Sequence, residues 1–221
     1  PAAQCGPDAH RSSPMASARI SARDLAQIAV FAALIAALTL PGAIPTGALG
    51  LPITLQTLGV LLAGAIIGPK KGTLAVVVYV ALGAIGLPIY AGGTGGLGIL
   101  FGPTGGFLFG FILCAFVVGW LTARLLPRYP FWPALGLTAV GGILSVYLIG
   151  IPWLAVTTGT PIGVVALGMV AFLPGDLIKV LVTVSVAKAV HRAWPGLITP
   201  RPWGRRRDGS STDATTAAVD A

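Results

Sequence analysis

Six apolar runs, each bounded by proline and with basic residues in only every second connection, constrain this chain more than any other feature. A membrane helix needs roughly 20 mostly apolar residues, with about 17 to 25 tolerated. The runs extend over about Ala22–Leu40, Thr54–Ile67, Thr73–Leu87, Gly105–Leu126, Trp132–Ile151 and Pro174–His191. The second is short, so its end residues are expected at the membrane interface. Pro161–Phe172 is also apolar, but its twelve residues cannot span, which predicts a re-entrant or interfacial helix on the outer side. The fold class expected is an all-α integral membrane protein of six transmembrane helices.

Charge placement predicts orientation. Arg19 and Arg23 precede the first run, Lys70 and Lys71 separate the second from the third, and Arg124 and Arg128 the fourth from the fifth. Lys188, Arg192, Arg201 and Arg205–Arg207 close the sixth, whereas connections 41–53, 88–104 and 152–173 hold no Lys or Arg. Basic loops stay inside, so both termini are expected in the cytoplasm and the chain in the cytoplasmic membrane as a multi-pass protein. The net charge of +8 therefore does not argue for nucleic acid; it is spread over short loops and tails. Only 9% of residues are charged and mean hydropathy is +0.90, which excludes an ordinary soluble domain.

The domain reading is a disordered polar tail over 1–21, one membrane domain over 22–192, and a basic then low-complexity tail over 193–221. Met15 opens MASARISARDL and reads as a natural start. A signal peptide over Leu25–Leu40 is disfavoured, because no polar mature sequence follows it.

One run carries an acid and a base. Asp176 and Lys179 in PGDLIK are three residues apart, on one helix face, at the start of the sixth run. Charges beside hydrocarbon are costly and mark a ligand or ion path, or else a structural ion pair between helices. The outer connections are uncharged and glycine-rich, which predicts loops capping a pocket, with Tyr90 and Phe101 giving aromatic contact and Thr104 a hydroxyl. Gly93, Gly95 and Gly98 form a literal G-x-G-x-x-G, but between two membrane runs and without the strand a nucleotide site needs. Thr54, Gln56 and Thr57 open the second run, and Tyr147 lies near the outer end of the fifth. Together these describe an apolar pocket with one charge of each sign, suited to a small ligand with an anionic end. Lys179 is expected to pair with a carboxylate and Asp176 to accept N–H groups.

In the first run Ala29, Ala33 and Ala37 recur every four residues, a spacing that lets another helix approach closely, either within the bundle or from a partner protein. No catalytic set is visible, since His10 and His191 lie in or beside the tails. The chain is read as no enzyme, without cofactor or metal. No ATP-binding loop is present either, so uphill transport would draw energy from elsewhere.

Four stretches together resemble one family: PITLQTLGVLLAG (Pro52–Gly64), GPKKG (Gly68–Gly72), GAIGLPIYAGGTGGLGILFGPTGG (Gly83–Gly106) and FLPGDLIK (Phe172–Lys179). They are similar to the BioY family, the biotin-specific substrate-binding subunits of energy-coupling-factor transporters. The resemblance runs from roughly Ala22 to Arg192. It implies high-affinity capture of biotin from outside and its uptake into the cell. It also implies docking, through Ala29 and Ala33, on a transmembrane coupling subunit served by two cytoplasmic ATPases. The D-x-x-K pair, here Asp176 and Lys179, would belong to the biotin site, with Gln56, Tyr90, Gly92 and Asp176 around the ureido ring and the glycine-rich loop as part of a lid. A self-sufficient carrier for a small carboxylated solute is the alternative, and a membrane enzyme acting on a lipid the least favoured.

Overall fold

In the computed structural model residues 21–40, 44–45 and 52–200 are described. The tail expectations, Met15, and the signal-peptide boundary fall on or run into residues outside them. Helix α1 (Ala22–Thr39) begins at a capping box: Ser21 Oγ accepts the Asp24 N–H, and the Asp24 carboxylate accepts the Ser21 N–H. Those reciprocal bonds satisfy two of the amide donors that every helix start leaves open. Ile28, Ala32, Ile35 and Thr39 form its buried stripe. A two-residue antiparallel ladder, Ile44–Pro45 (β1) with Pro52–Ile53 (β2), closes the connection to α2 (Gln56–Ala84).

Helix α2 is two helices joined at a kink, where the backbone of Gly68 is not helical. Gly68 has φ +84°, a value that glycine adopts without steric cost, and Pro69 follows it. Gln56 Nε2 and Tyr79 Oη are 2.8 Å apart despite a separation of 23 residues, which in a straight helix would be about 35 Å. The chain therefore folds back at Gly68 into two antiparallel arms. Their contact is tight: a Cβ at Gly72 would stand 2.6 Å from the Ala63 carbonyl oxygen.

The other helices wrap this hairpin. The one-turn α3 (Leu97–Leu100) leads into α4 (Gly105–Leu125), followed by α5 (Phe131–Thr158), α6 (Ile162–Met169), a 3-10 turn at Val170–Phe172, and α7 (Leu173–Ala193). Helix α2 packs on α1, α4 and α7, and α5 packs on α4 and α7. Small residues let the α2 and α4 backbones meet: a Cβ at Gly64 would come within 2.6 Å of the Ala115 oxygen.

Among the described residues five stretches are long and apolar enough to cross a membrane: α1, α2, α4, α5, and Ile162–Ala193 taken together. Two expectations are corrected. The fifth helix does not stop at Pro152 but runs through it to Thr158, where Gly159 ends it with φ +68°. A membrane helix absorbs an internal proline because neighbouring groups re-satisfy the freed carbonyl. The segment 161–172 does form a short helix, α6, but it does not stand apart from the sixth run: the 3-10 turn leads it directly into α7. Its Val165 and Met169 are buried with Leu154 of α5.

At the end of the hairpin where the chain turns, His191 is within 2.8 Å of the Ala65 oxygen and Ile198 is buried against Gly68. Lys71 meets Asp24 at 3.2 Å and Gln27 at 2.7 Å, joining the turn to the start of α1.

A candidate ligand cavity between α2, α4, α5 and α7

At the opposite end of the hairpin a cavity of about 290 Å³ opens between α2, α4, α5, α7 and the 88–104 connection. Small-molecule sites run from about 300 to 1,000 Å³, so a compact ligand is favoured. Its walls are largely apolar, with Leu61 of α2, Phe107 and Phe111 of α4, Val146 of α5, and Met169 and Phe172 beside α7.

Among the described residues of that lining, Asp176 and Lys179 are the two that carry charge. They lie in the first two turns of α7, 8% and 7% exposed, and Lys179 Nζ donates to Asp176 Oδ1 at 3.0 Å. The second carboxylate oxygen, Oδ2, accepts the Tyr147 hydroxyl of α5 at 2.8 Å. The pair is thus formed within one helix rather than between two. Tyr147 is what ties it to the neighbouring helix. The start of α7 also suits the acid, because unpaired helix amides favour a negative charge there. Removing two ions from water is costly unless each is paired and hydrogen-bonded, a condition met here on both carboxylate oxygens.

Gln56, the first residue of α2, lines the cavity at 4% exposure. Tyr90 lines it too, at 1% exposure, with its hydroxyl donating to the Val80 carbonyl and its ring edge-on to Tyr79. Burial raises the Tyr90 hydroxyl above the ordinary tyrosine range, which keeps it a donor. The ring rests on Gly83, where a Cβ would lie 2.1 Å from Tyr90 Cε1. Thr54, Thr57, Thr94 and Thr104 add hydroxyls to the lining.

Two expected contributors stand elsewhere. Gly92 sits at an exposed turn with φ +75°, outside the lining, and shapes the loop where Tyr90 bridges to Thr94. Phe101 is 66% exposed and also outside it. The G-x-G-x-x-G glycines lie in this turn and the one-turn α3, not at a strand-to-helix junction. Ala29 and Ala33 are exposed on the face of α1 opposite its buried stripe, so they do not pack inside the chain's own bundle.

Sequence reasoning missed the apolar wall. Phe107 and Phe111 are spaced i, i+4 on one face of α4, a visible signal, but the same spacing serves lipid-facing and core positions alike. Met169 and Phe172 were hidden by the separation of 161–172 from the sixth run.

Comparison with known proteins gives one consistent result. A family model described as the BioY family matches residues 12–196. Biotin transporter BioY of Rhodobacter capsulatus is 48% identical, covering 81% of this chain and 98% of that protein. Biotin transporter BioY of Rhizobium etli is 41% identical over 80% and 97%. The crystal structure of the S-component for biotin from an ECF-type ABC transporter superposes with TM-score 0.73 at 31% identity, over 77% of this chain and 91% of that one.

Proposed function

The chain belongs to the BioY family, and from that membership we propose that it captures biotin at the outer side of the cytoplasmic membrane. It does so as the substrate-binding subunit of an energy-coupling-factor transporter, and is no enzyme. The relatives' names and the S-component neighbour support this reading. So does one structural observation: a mostly apolar cavity whose charged lining residues, Asp176 and Lys179, pair with each other.

The 3.0 Å contact within that pair bears on ligand orientation. Groups that touch each other cannot serve the two far ends of an extended biotin. A carboxylate seated on the pair would leave a net negative charge buried, at a cost of several kcal/mol. The ureido head carries N–H donors beside a carbonyl, and so complements an acid beside an amine without net charge. In this proposal Asp176 accepts a ureido N–H and Lys179 donates to the ureido oxygen, with Tyr147 and Gln56 beside them. The valerate carboxylate points to the hydroxyls of Thr54, Thr57 and Thr104. Lys179 in this proposal faces the ureido oxygen and not, as its charge alone led one to expect, the carboxylate.

The remaining parts of the reading are an assembly and a topology. Both arms of α2 cross the bilayer, which gives six crossings with both termini inside, and the 88–104 connection acts as the lid. The exposed alanine face of α1 docks on a transmembrane coupling subunit that two cytoplasmic ATPases drive. Binding of radiolabelled biotin to the purified chain tests the function. One saturable site is expected, competed by biotinamide within tenfold of biotin and not by biotin methylated on both ureido nitrogens. Absence of saturable binding would overturn the function, and the reverse competition order the orientation. Uptake by vesicles holding this chain alone would favour a self-sufficient carrier.

A further inference from the structure

Tyr79 is fully buried in the second arm of α2 and lies outside the cavity lining, yet it holds two residues that are in it. Its hydroxyl donates to the Ile89 carbonyl at 2.9 Å and lies 2.8 Å from Gln56 Nε2. Its ring meets the Tyr90 ring edge-on, with centroids 5.8 Å apart. Thr39 of α1 is a third neighbour at 3.4 Å, its own proton directed to the Ile35 carbonyl at 2.7 Å.

Donor and acceptor balance makes this arrangement directional. A phenol has one proton, and a backbone carbonyl can only accept. With that proton on Ile89, Tyr79 must accept from Gln56, and only the NH₂ end of the glutamine amide can donate. The result is the same if the proton swings to Thr39, whose hydroxyl proton is already placed. The two ends of an amide are hard to tell apart by shape, so the network decides which way the side chain faces. The Gln56 NH₂ is turned to Tyr79, and its oxygen occupies the other fork of the amide.

We propose that Tyr79 is a positioning residue that sets the hydrogen-bond polarity of the cavity. By retaining the Gln56 NH₂ it leaves the Gln56 carbonyl oxygen for the ligand, which makes Gln56 a second acceptor beside Asp176. A site with two acceptors and one amine selects a head group bearing two N–H donors flanking a carbonyl, a cyclic urea. A lactone or carbonate ring of the same shape would face unpaired acceptors. This inference rests on the biotin reading above.

The test is a double-mutant cycle on the full chain, with biotin affinity measured by calorimetry and folding checked by thermal unfolding. Tyr79→Phe keeps the ring contact with Tyr90 and frees the Gln56 amide. It is expected to weaken biotin about tenfold in the wild-type background and less than twofold in a Gln56→Met background. Equal losses in both backgrounds would reduce Tyr79 to a scaffold residue and overturn the inference, as would an unchanged affinity of Tyr79→Phe alone. Should Tyr79→Phe fail to fold, Gln56→Glu decides, since a carboxylate keeps the acceptor but loses the NH₂ that Tyr79 holds. Biotin binding within about threefold of wild type supports an acceptor facing the ligand, and a loss as large as that of Gln56→Met overturns it. A wild-type chain that binds no biotin would overturn the function first, and is told apart because it needs no variant.

Discussion

Tyr147 Oη stands 2.8 Å from Asp176 Oδ2, joining the middle of α5 to the first turn of α7. Lys179 occupies the other oxygen, so the carboxylate is fixed in rotation before any ligand arrives. Hydrogen bonds to charged groups contribute about 1.5 to 3 kcal/mol. Tyr147→Phe should therefore raise the biotin Kd at least about tenfold while leaving the helical content unchanged. Calorimetric titration checks it; an unaltered Kd would mean that the acid is held well enough without α5.

Removing one member of the Asp176–Lys179 pair leaves the other as an isolated buried charge. Lys179→Met alone should cost on the order of 3 kcal/mol of stability, and the double variant Asp176→Asn with Lys179→Met should recover most of that loss. Biotin binding should vanish in both. Unfolding in detergent without ligand separates the two effects. A double variant no more stable than Lys179→Met would show that the charges are solvated rather than paired.

Gly83 lies under the Tyr90 ring, and a Cβ there would come within 2.1 Å of Cε1. Gly83→Ala should displace the ring, break its bond to Val80, and destabilise the chain by roughly 1 to 3 kcal/mol through overpacking. Biotin binding should weaken with it, since Tyr90 is a wall of the cavity. Equal melting temperatures for the variant and the wild type would mean that the loop yields freely.

Much of this was legible in the sequence, and the failures have physical causes. The polar residues could be located because charge and hydroxyl are rare in hydrocarbon, so Asp176, Lys179, Gln56 and Tyr147 stood out. Pro152 misled because proline, which loses a helix bond and clashes with the preceding turn, usually ends a helix, whereas membrane helices tolerate it when neighbouring groups re-satisfy the freed carbonyl. Pro161–Phe172 misled because its length was judged alone, and only the structure shows it joined to α7 through the 3-10 turn. Gly92 and Phe101 misled because they share a loop with Tyr90: Tyr90 is buried in the lining, whereas Gly92 and Phe101 are exposed. The spacing placed Asp176 and Lys179 on one helix face, but that they bond to each other rather than to a ligand or across two helices is visible only in the structure. The third member, Tyr147, came from another helix, and its contact with the acid had no local signal.

Ala29 and Ala33 are exposed on α1, away from the buried Ile28–Ala32–Ile35 stripe. Ala29→Trp and Ala33→Trp should each abolish biotin uptake by cells carrying the coupling subunit and the ATPases, with binding by the purified chain unchanged. Loss of binding would place this face in contact with the chain's own core, and full uptake would move the docking surface elsewhere.

The proposed topology puts Lys70, an exposed residue just after the Gly68 bend, in the cytoplasm. In a background with Cys5 and Cys114 changed to Ser, Lys70→Cys should resist an impermeant maleimide in intact cells and react after permeabilisation. Labelling from outside would invert the assignment.

The bend at Gly68 also sets how far a passenger must travel. Leu61 borders the cavity, and seven residues of helix, about 10 Å, separate it from the point where the chain doubles back. In the proposed topology, what lies between a seated molecule and the cytoplasmic face is therefore two turns of helix, closed at the bend by Ile198.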